Sequence, residues 1–225
     1  MRTLETRTSL SGRARAALLL SIALLGIAHG ACTRRASAPK KTEQVFRFRM
    51  HEDPPTLDPA LTNDEFSDAV ILNLNRGLVE LDPGTLEIRP AVAESWSVSA
   101  DNREYTFHLR DGVRFHNGRA LTSQDVAYSF LRLLKKETQS PRHFLLEPVE
   151  GAQEFSEGKS PEVKGLTTPD ERTVVLRLTK PFAPFLPELT MANVSILPKE
   201  VYDDPAKAYL RAPVGCGPFR LARWE

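Results

Sequence analysis

Residues 105–118 read YTFHLRDGVRFHNG, and they are either a metal or catalytic cluster or the outer face of a hairpin. Side chains alternate across a strand, so Tyr105, Phe107 and Leu109 share one face while Thr106, His108 and Arg110 share the other. His108 therefore points away from the apolar side. Asp111-Gly112 reads as a turn, because glycine takes positive φ cheaply and aspartate bonds its own backbone. Val113 and Phe115 then resume an apolar face on a returning strand, which Asn117-Gly118 closes in the same way. A zinc site needs ligands that converge at tight spacing, and neither an HExxH nor a CxxC pattern occurs in the chain. The stretch reads as hairpin surface, with no metal ligand and no catalytic residue assigned.

Upstream, residues 45–50 alternate with Phe46, Phe48 and Met50 on one face, which predicts a half-buried first strand. It stops at HEDPPTLDPAL, where two prolines argue a rigid loop and the three consecutive residues His51, Glu52 and Asp53 cannot all face one ion. Asn63 then reads as a helix cap with Asp64 and Glu65 in the first turn, and the helix runs until Gly77. Short strands are predicted over 78–81 and 86–88 around the turn DPGT. Downstream, residues 122–125 form a variant capping box, and Val126, Ala127, Phe130, Leu131 and Leu134 share a helical face. Residues 137–165 read as an irregular crossing with one short helix near 149–156. Residues 173–179 alternate with Val174, Leu176 and Leu178 inward. The prolines of KPFAPFLPEL permit only a short packed helix, and GPFRLARWE looks like the opening of a strand.

The 225 residues carry 41% apolar and 26% charged side chains with a net charge of +1. That composition supports a real core and gives no single-sign field of the kind that nucleic acid or an anionic membrane surface attracts. Seventeen prolines suggest a loop-rich body with short elements. Arg7, Arg13 and Arg15 precede an uncharged apolar run over 16–28, too short to span a bilayer comfortably, so residues 1–32 read as a secretory signal peptide. It ends in HGAC, which resembles the bacterial lipoprotein signal, although His29 stands where that signal usually has an apolar residue. Either Cys32 becomes the lipidated N-terminus or ordinary cleavage releases a free exported product. Residues 33–43, polar and basic, suit a flexible tether. Lipidation would leave Cys216 without an internal partner; a Cys32–Cys216 bridge stays open if it fails. No helix start or adjacent base in PVGCGPF activates Cys216, which reads as a small residue in a turn or strand.

Taken in order, PPTLDPAL, the long run RGLVELDPGTLEIRPAVAESWSVSADNREYTFHLRDGVRFHNGRALTSQDVAYSF, KPFAPFLPEL and PVGCGPFRLARWE resemble the N-terminal part of the family-5 extracellular solute-binding proteins. These are the peptide/nickel-binding lipoproteins that serve ABC importers. The resemblance covers about residues 44 to 225. Arg76 departs from a common glutamate and Cys216 from a common threonine, and Arg76 bears on a local ion pair. Members run to roughly twice this length, so the sequence is expected to be a fragment.

The resemblance implies a mixed α/β, two-lobed type II binding-protein fold. Residues 44–75 and 191–225 would belong to lobe I, residues 76–190 to its inserted α+β subdomain, and lobe II would lie outside the sequence. It also implies a monomeric receptor that encloses a peptide, or in other members nickel, haem or sugar, and presents it to an ABC permease, with no cofactor and no nucleic-acid partner. Ligand contacts would come from Asn63, Asp64 and Glu65, which serve equally well as a helix cap, and from Arg142 and His143. The competing reading, from a different class, is a secreted metal-dependent hydrolase that gathers His108, His116 and Asp111. It requires at least two of those side chains to converge.

Overall fold

The computed structural model describes Arg47, residues 49–204 and residues 206–224. The chain divides into two units, residues 1–48 and 49–225, and every helix and strand among the described residues lies in the second. The signal segment, Cys32 and the tether lie outside the described residues. So does most of the first strand expected over 45–50; Arg47, Arg49 and Met50 are described and form no strand.

Two antiparallel sheets and a set of short helices make up the unit. Helix α1 spans Glu65–Leu74, and the hairpin of β1 (Val79–Leu81) and β2 (Ile88–Pro90) follows it. A four-stranded sheet runs in the order β3 (Ala93–Val98), β4 (Glu104–Leu109), β6 (Thr173–Arg177), β5 (Leu166–Asp170), every neighbouring pair antiparallel. Helix α2 (Ser123–Leu134) is the longest of the described residues, and α3 (Ala152–Ser156), α4 (Phe185–Glu188) and α5 (Lys199–Tyr202) are each about a turn long.

The strand parity read from residues 105–110 holds: Tyr105, Phe107 and Leu109 are buried, whereas His108 and Arg110 are exposed. Val174, Leu176 and Leu178 are wholly buried, and they join Val126, Phe130 and Leu133 of α2 and Phe185 of α4 in one core. Each of these side chains contributes about 1.5–3 kcal/mol by leaving water. In α2 the inward face differs from expectation at its edge. Leu133 and Ser129 are buried, while Ala127 and Leu131 are only half-buried.

The returning strand expected over 113–116 does not form. Both edges of β4 are already taken, by β3 and by β6, so residues 113–121 fold into a separate loop whose one ladder contact is Arg114 opposite Ala120. The second strand of the β1–β2 hairpin begins at Ile88 rather than Leu86, because Leu86 sits at φ +59° as part of the turn. Asp82 fixes that turn by accepting hydrogen bonds from Gly84 and Thr85 N–H at 2.8 and 3.0 Å. Helix α1 ends at Asn75, not Gly77: the Asn75 backbone N–H and carboxamide both donate to the Ile71 carbonyl. Residues 217–224 form no strand; Gly217 and Phe219 instead donate to the carbonyls of Leu74 and Asn73 at the end of α1.

Candidate functional site

Helix α1 begins after a loop, residues 56–63, that carries one proline, Pro59, and buries Leu57, Asp58, Ala60 and Thr62. Thr56 Oγ1 accepts from the Asp58 N–H at 3.0 Å, and Asp58 Oδ1 accepts from the Ala60 N–H at 3.1 Å. Thr62 Oγ1 donates to Asp68 Oδ1 at 2.9 Å. Asp64, not Asn63, is the cap: its Oδ1 accepts from the Ser67 N–H at 2.8 Å from an extended backbone conformation. One more residue of loop is therefore used before the helix starts, and Asn63 and Glu65 are left exposed on either side of the cap.

Arg142 lies at the start of the 3-10 turn His143–Leu146, half-buried, and its charge acts on Asp68 in the first turn of α1. Burial pushes the Asp68 carboxyl above the usual carboxylate range, against the pull of the Thr62 hydroxyl and the Arg142 guanidinium; Asp64 adds to the rise. Three of the five residues proposed from the sequence, Asn63, Asp64 and Glu65, thus fall at one helix start, and the charge of a fourth, Arg142, reaches Asp68 in its first turn. His143 does not join them. Its Nδ1 lies 3.0 Å from the Ser140 carbonyl and its Nε2 3.2 Å from Glu147, beside a groove lined by Leu134, Gln139 and Gln153. Backbone N–H groups at a helix start, a cation and two exposed polar side chains can together grip an extended ligand by its main chain and terminus.

Sequence reasoning passed over the residues that hold this loop in place. The Asp58 carboxylate, buried from solvent, receives Arg132 of α2 in a two-pronged pair at 2.8 and 2.6 Å. Asn193 donates through one nitrogen to the Pro59 and Thr62 carbonyls, both at 2.9 Å. An aspartate amid the apolar residues of TLDPAL signals a buried acid, but its partner lies too far along the chain to be found by spacing.

The histidines do not converge. His108 stands exposed on β4 opposite Ser95 and Thr173. His116 Nε2 lies 3.0 Å from the Gly217 carbonyl, and its Nδ1 accepts from the Gly215 N–H. Asp111 is exposed and faces Arg172. No group of three or more His, Cys, Asp or Glu side chains among the described residues is placed to hold a metal ion. His108 and His116 are thus held on different elements, the first by its strand neighbours and the second by the Gly215–Gly217 backbone.

Cys216 packs against the main core beside Arg76, Val92 and Val113. Burial pushes its thiol up to about 11, so the thiolate of a nucleophile is not formed at neutral pH. Arg76 pairs with Glu80, which also pairs with Arg89, which in turn reaches Asp82. Arg76 thus supplies the first member of a surface ion ladder along the β1–β2 hairpin.

The family model for bacterial extracellular solute-binding proteins, family 5, middle region, matches residues 87–225. The dipeptide-binding protein of Escherichia coli (strain K12) is 38% identical over 216 residues, covering 89% of this chain and 39% of that protein. Heme-binding protein A of Haemophilus influenzae is 34% identical, covering 91% of this chain and 40% of its own length. Among solved structures, the Escherichia coli murein tripeptide-binding protein MppA superposes with a TM-score of 0.73 at 31% identity, over 78% of this chain and 35% of that one. The chain spans about two fifths of the curated relatives it matches.

Proposed function

Because the chain belongs to the bacterial extracellular solute-binding proteins of family 5, we propose that it forms one wall of an interlobe cleft that captures di- or oligopeptides. It would hand them, unchanged, to the permease of an ABC importer. The observation that carries this reading is the 38% identity to a dipeptide-binding protein across 89% of the chain. On this reading residues 44–75 and 191–225 belong to the first lobe and residues 76–190 to a subdomain inserted in it. Asn63, Asp64 and Glu65 meet the peptide main chain, supported by their position at one helix start, and Arg142, whose charge acts on Asp68 there, supplies a charge for a terminus. His143 makes a further ligand contact from its own groove, apart from that helix start. The protein acts as an exported monomer tethered to the membrane through lipidated Cys32, and it needs neither cofactor nor nucleic acid.

Haem is the second ligand class, favoured by the 34% identity to a heme-binding protein. Protein expressed from its whole reading frame and titrated with a dipeptide and tripeptide library, and separately with haemin, separates the two. A ligand at a hundred times its dissociation constant raises stability by about 2.7 kcal/mol, read as a rise in melting temperature. Peptide-dependent shifts that weaken in Arg142→Ala and Asn63→Ala support the reading; shifts with haemin alone redirect it, and no shift with either class ends it.

A further inference from the structure

We propose that Asn193 is a positioning residue that sets the shape of the ligand-facing loop before α1, an inference that rests on the reading of that helix start as a ligand contact. Asn193 sits in the 3-10 turn Ala192–Val194 and is only 3% exposed. Its Nδ2 donates to the carbonyls of Pro59 and Thr62, 134 and 131 residues away in sequence. Thr62 is followed directly by Asn63 and the capping Asp64, so two donors on one nitrogen fix the backbone that aims both. The turn that carries Asn193 is itself anchored. Ser195 Oγ donates to the Ala192 carbonyl at 2.7 Å, and the Ile196 N–H donates to the Arg76 carbonyl at 2.9 Å.

The amide is retained at a cost, because Asn193 Oδ1 is buried with no hydrogen-bond partner. A buried acceptor left unmade costs about 1–3 kcal/mol, which an apolar side chain at this position would avoid. What an apolar residue could not do is hold two carbonyls three residues apart. An aspartate would set oxygens against both of them, and a serine has one hydrogen to give.

The test uses Asn193→Asp, the milder Asn193→Ser and, as a control for plain loss of stability, Ser123→Ala. Ser123 is equally buried and donates to the Asp170 carbonyl at the start of α2. Amide hydrogen exchange over residues 60–65 is measured without ligand, and peptide affinity by calorimetry. Both Asn193 variants are expected to exchange faster in this loop and to bind peptide about tenfold more weakly, as loss of one or two hydrogen bonds predicts. Ser123→Ala is expected to melt earlier with neither change. Unaltered loop exchange in the Asn193 variants, unaltered affinity in them, or an equal loss of affinity in Ser123→Ala overturns the proposal. If the unmutated protein binds no peptide, the functional reading fails, and the exchange comparison still decides whether Asn193 sets the loop.

Discussion

Arg132 and Asp58 meet across 74 residues of chain in a two-pronged pair, Nη1 to Oδ1 at 2.8 Å and Nη2 to Oδ2 at 2.6 Å. The guanidinium faces the rings of Tyr202 and Tyr209 at 5.4 and 5.7 Å, so a charge taken out of water is held by a carboxylate on one side and π density on the other. Removing one partner strands the other. Asp58→Ala is expected to cost about 3–5 kcal/mol in urea unfolding, whereas Asp58→Leu combined with Arg132→Met recovers much of the loss. Similar losses in the single and the double variant would show that the pair itself, not its broken half, supplies the stability.

The two histidines of residues 105–118 should behave differently. His116 joins the 113–121 loop to the Gly215–Gly217 crossing through both ring nitrogens, so His116→Ala is expected to lower stability by about 1 kcal/mol or more. His108→Ala, on the solvent face of β4, should stay within about 0.5 kcal/mol. Zinc titration of the unmutated protein should give no binding that either substitution removes.

Gly217 crosses the end of α1 so closely that a Cβ would lie 2.5 Å from the Leu74 carbonyl carbon and 2.6 Å from the Asn73 oxygen. Backbone on both sides cannot yield locally, and Gly217→Ala is expected to destabilise by about 1–3 kcal/mol or more. Gly118, at φ +90° with open space around its Cβ position, should lose only the backbone term of about 1 kcal/mol on change to alanine. Thermal denaturation of the two variants, side by side, tests the ranking.

Glu188 has a buried carboxylate oxygen, Oε2, with no hydrogen-bond partner, and burial pushes its pKa above the ordinary 4.5. A carboxyl whose folded pKa is raised costs stability above its unfolded pKa, where the unfolded chain is free to ionise, and the cost disappears below that value. Glu188→Gln should therefore raise the melting temperature at pH 7 and lose that advantage as pH falls to 4.5 and below. An equal gain at both ends of the range would mean that packing, not ionisation, is responsible.

The order of elements was legible wherever periodicity and local chemistry coincide. The alternation of Tyr105, Phe107 and Leu109, the alternation of Val174 and Leu176, the start of α2 at Thr122, and the short helix at Phe185 between prolines all depend on neighbours a few residues apart. The helix start that carries Asn63, Asp64 and Glu65 was legible to within one residue. Choosing Asp64 over Asn63 as the cap depends on which carboxylate or amide reaches the Ser67 N–H once the loop before it is pinned, and that pinning comes from elsewhere. Residues 113–116 have the pattern of a strand and form none, because a strand needs an open edge and β3 and β6 occupy both edges of β4. His116 reads as a solvated side chain and is instead bonded to glycine backbone about a hundred residues downstream.

The sequence by itself determined the alternating faces of the sheet and the helix start near residues 63–65, since hydrophobic periodicity and capping act over one or two turns of chain, while the family was carried by motifs in their order. Only the tertiary structure decided what holds the loop before that helix: Arg132 on Asp58, and Asn193 on Pro59 and Thr62. Those contacts bridge 74 to 134 residues, and pairing at such separations depends on how the elements pack in space, which no local spacing encodes.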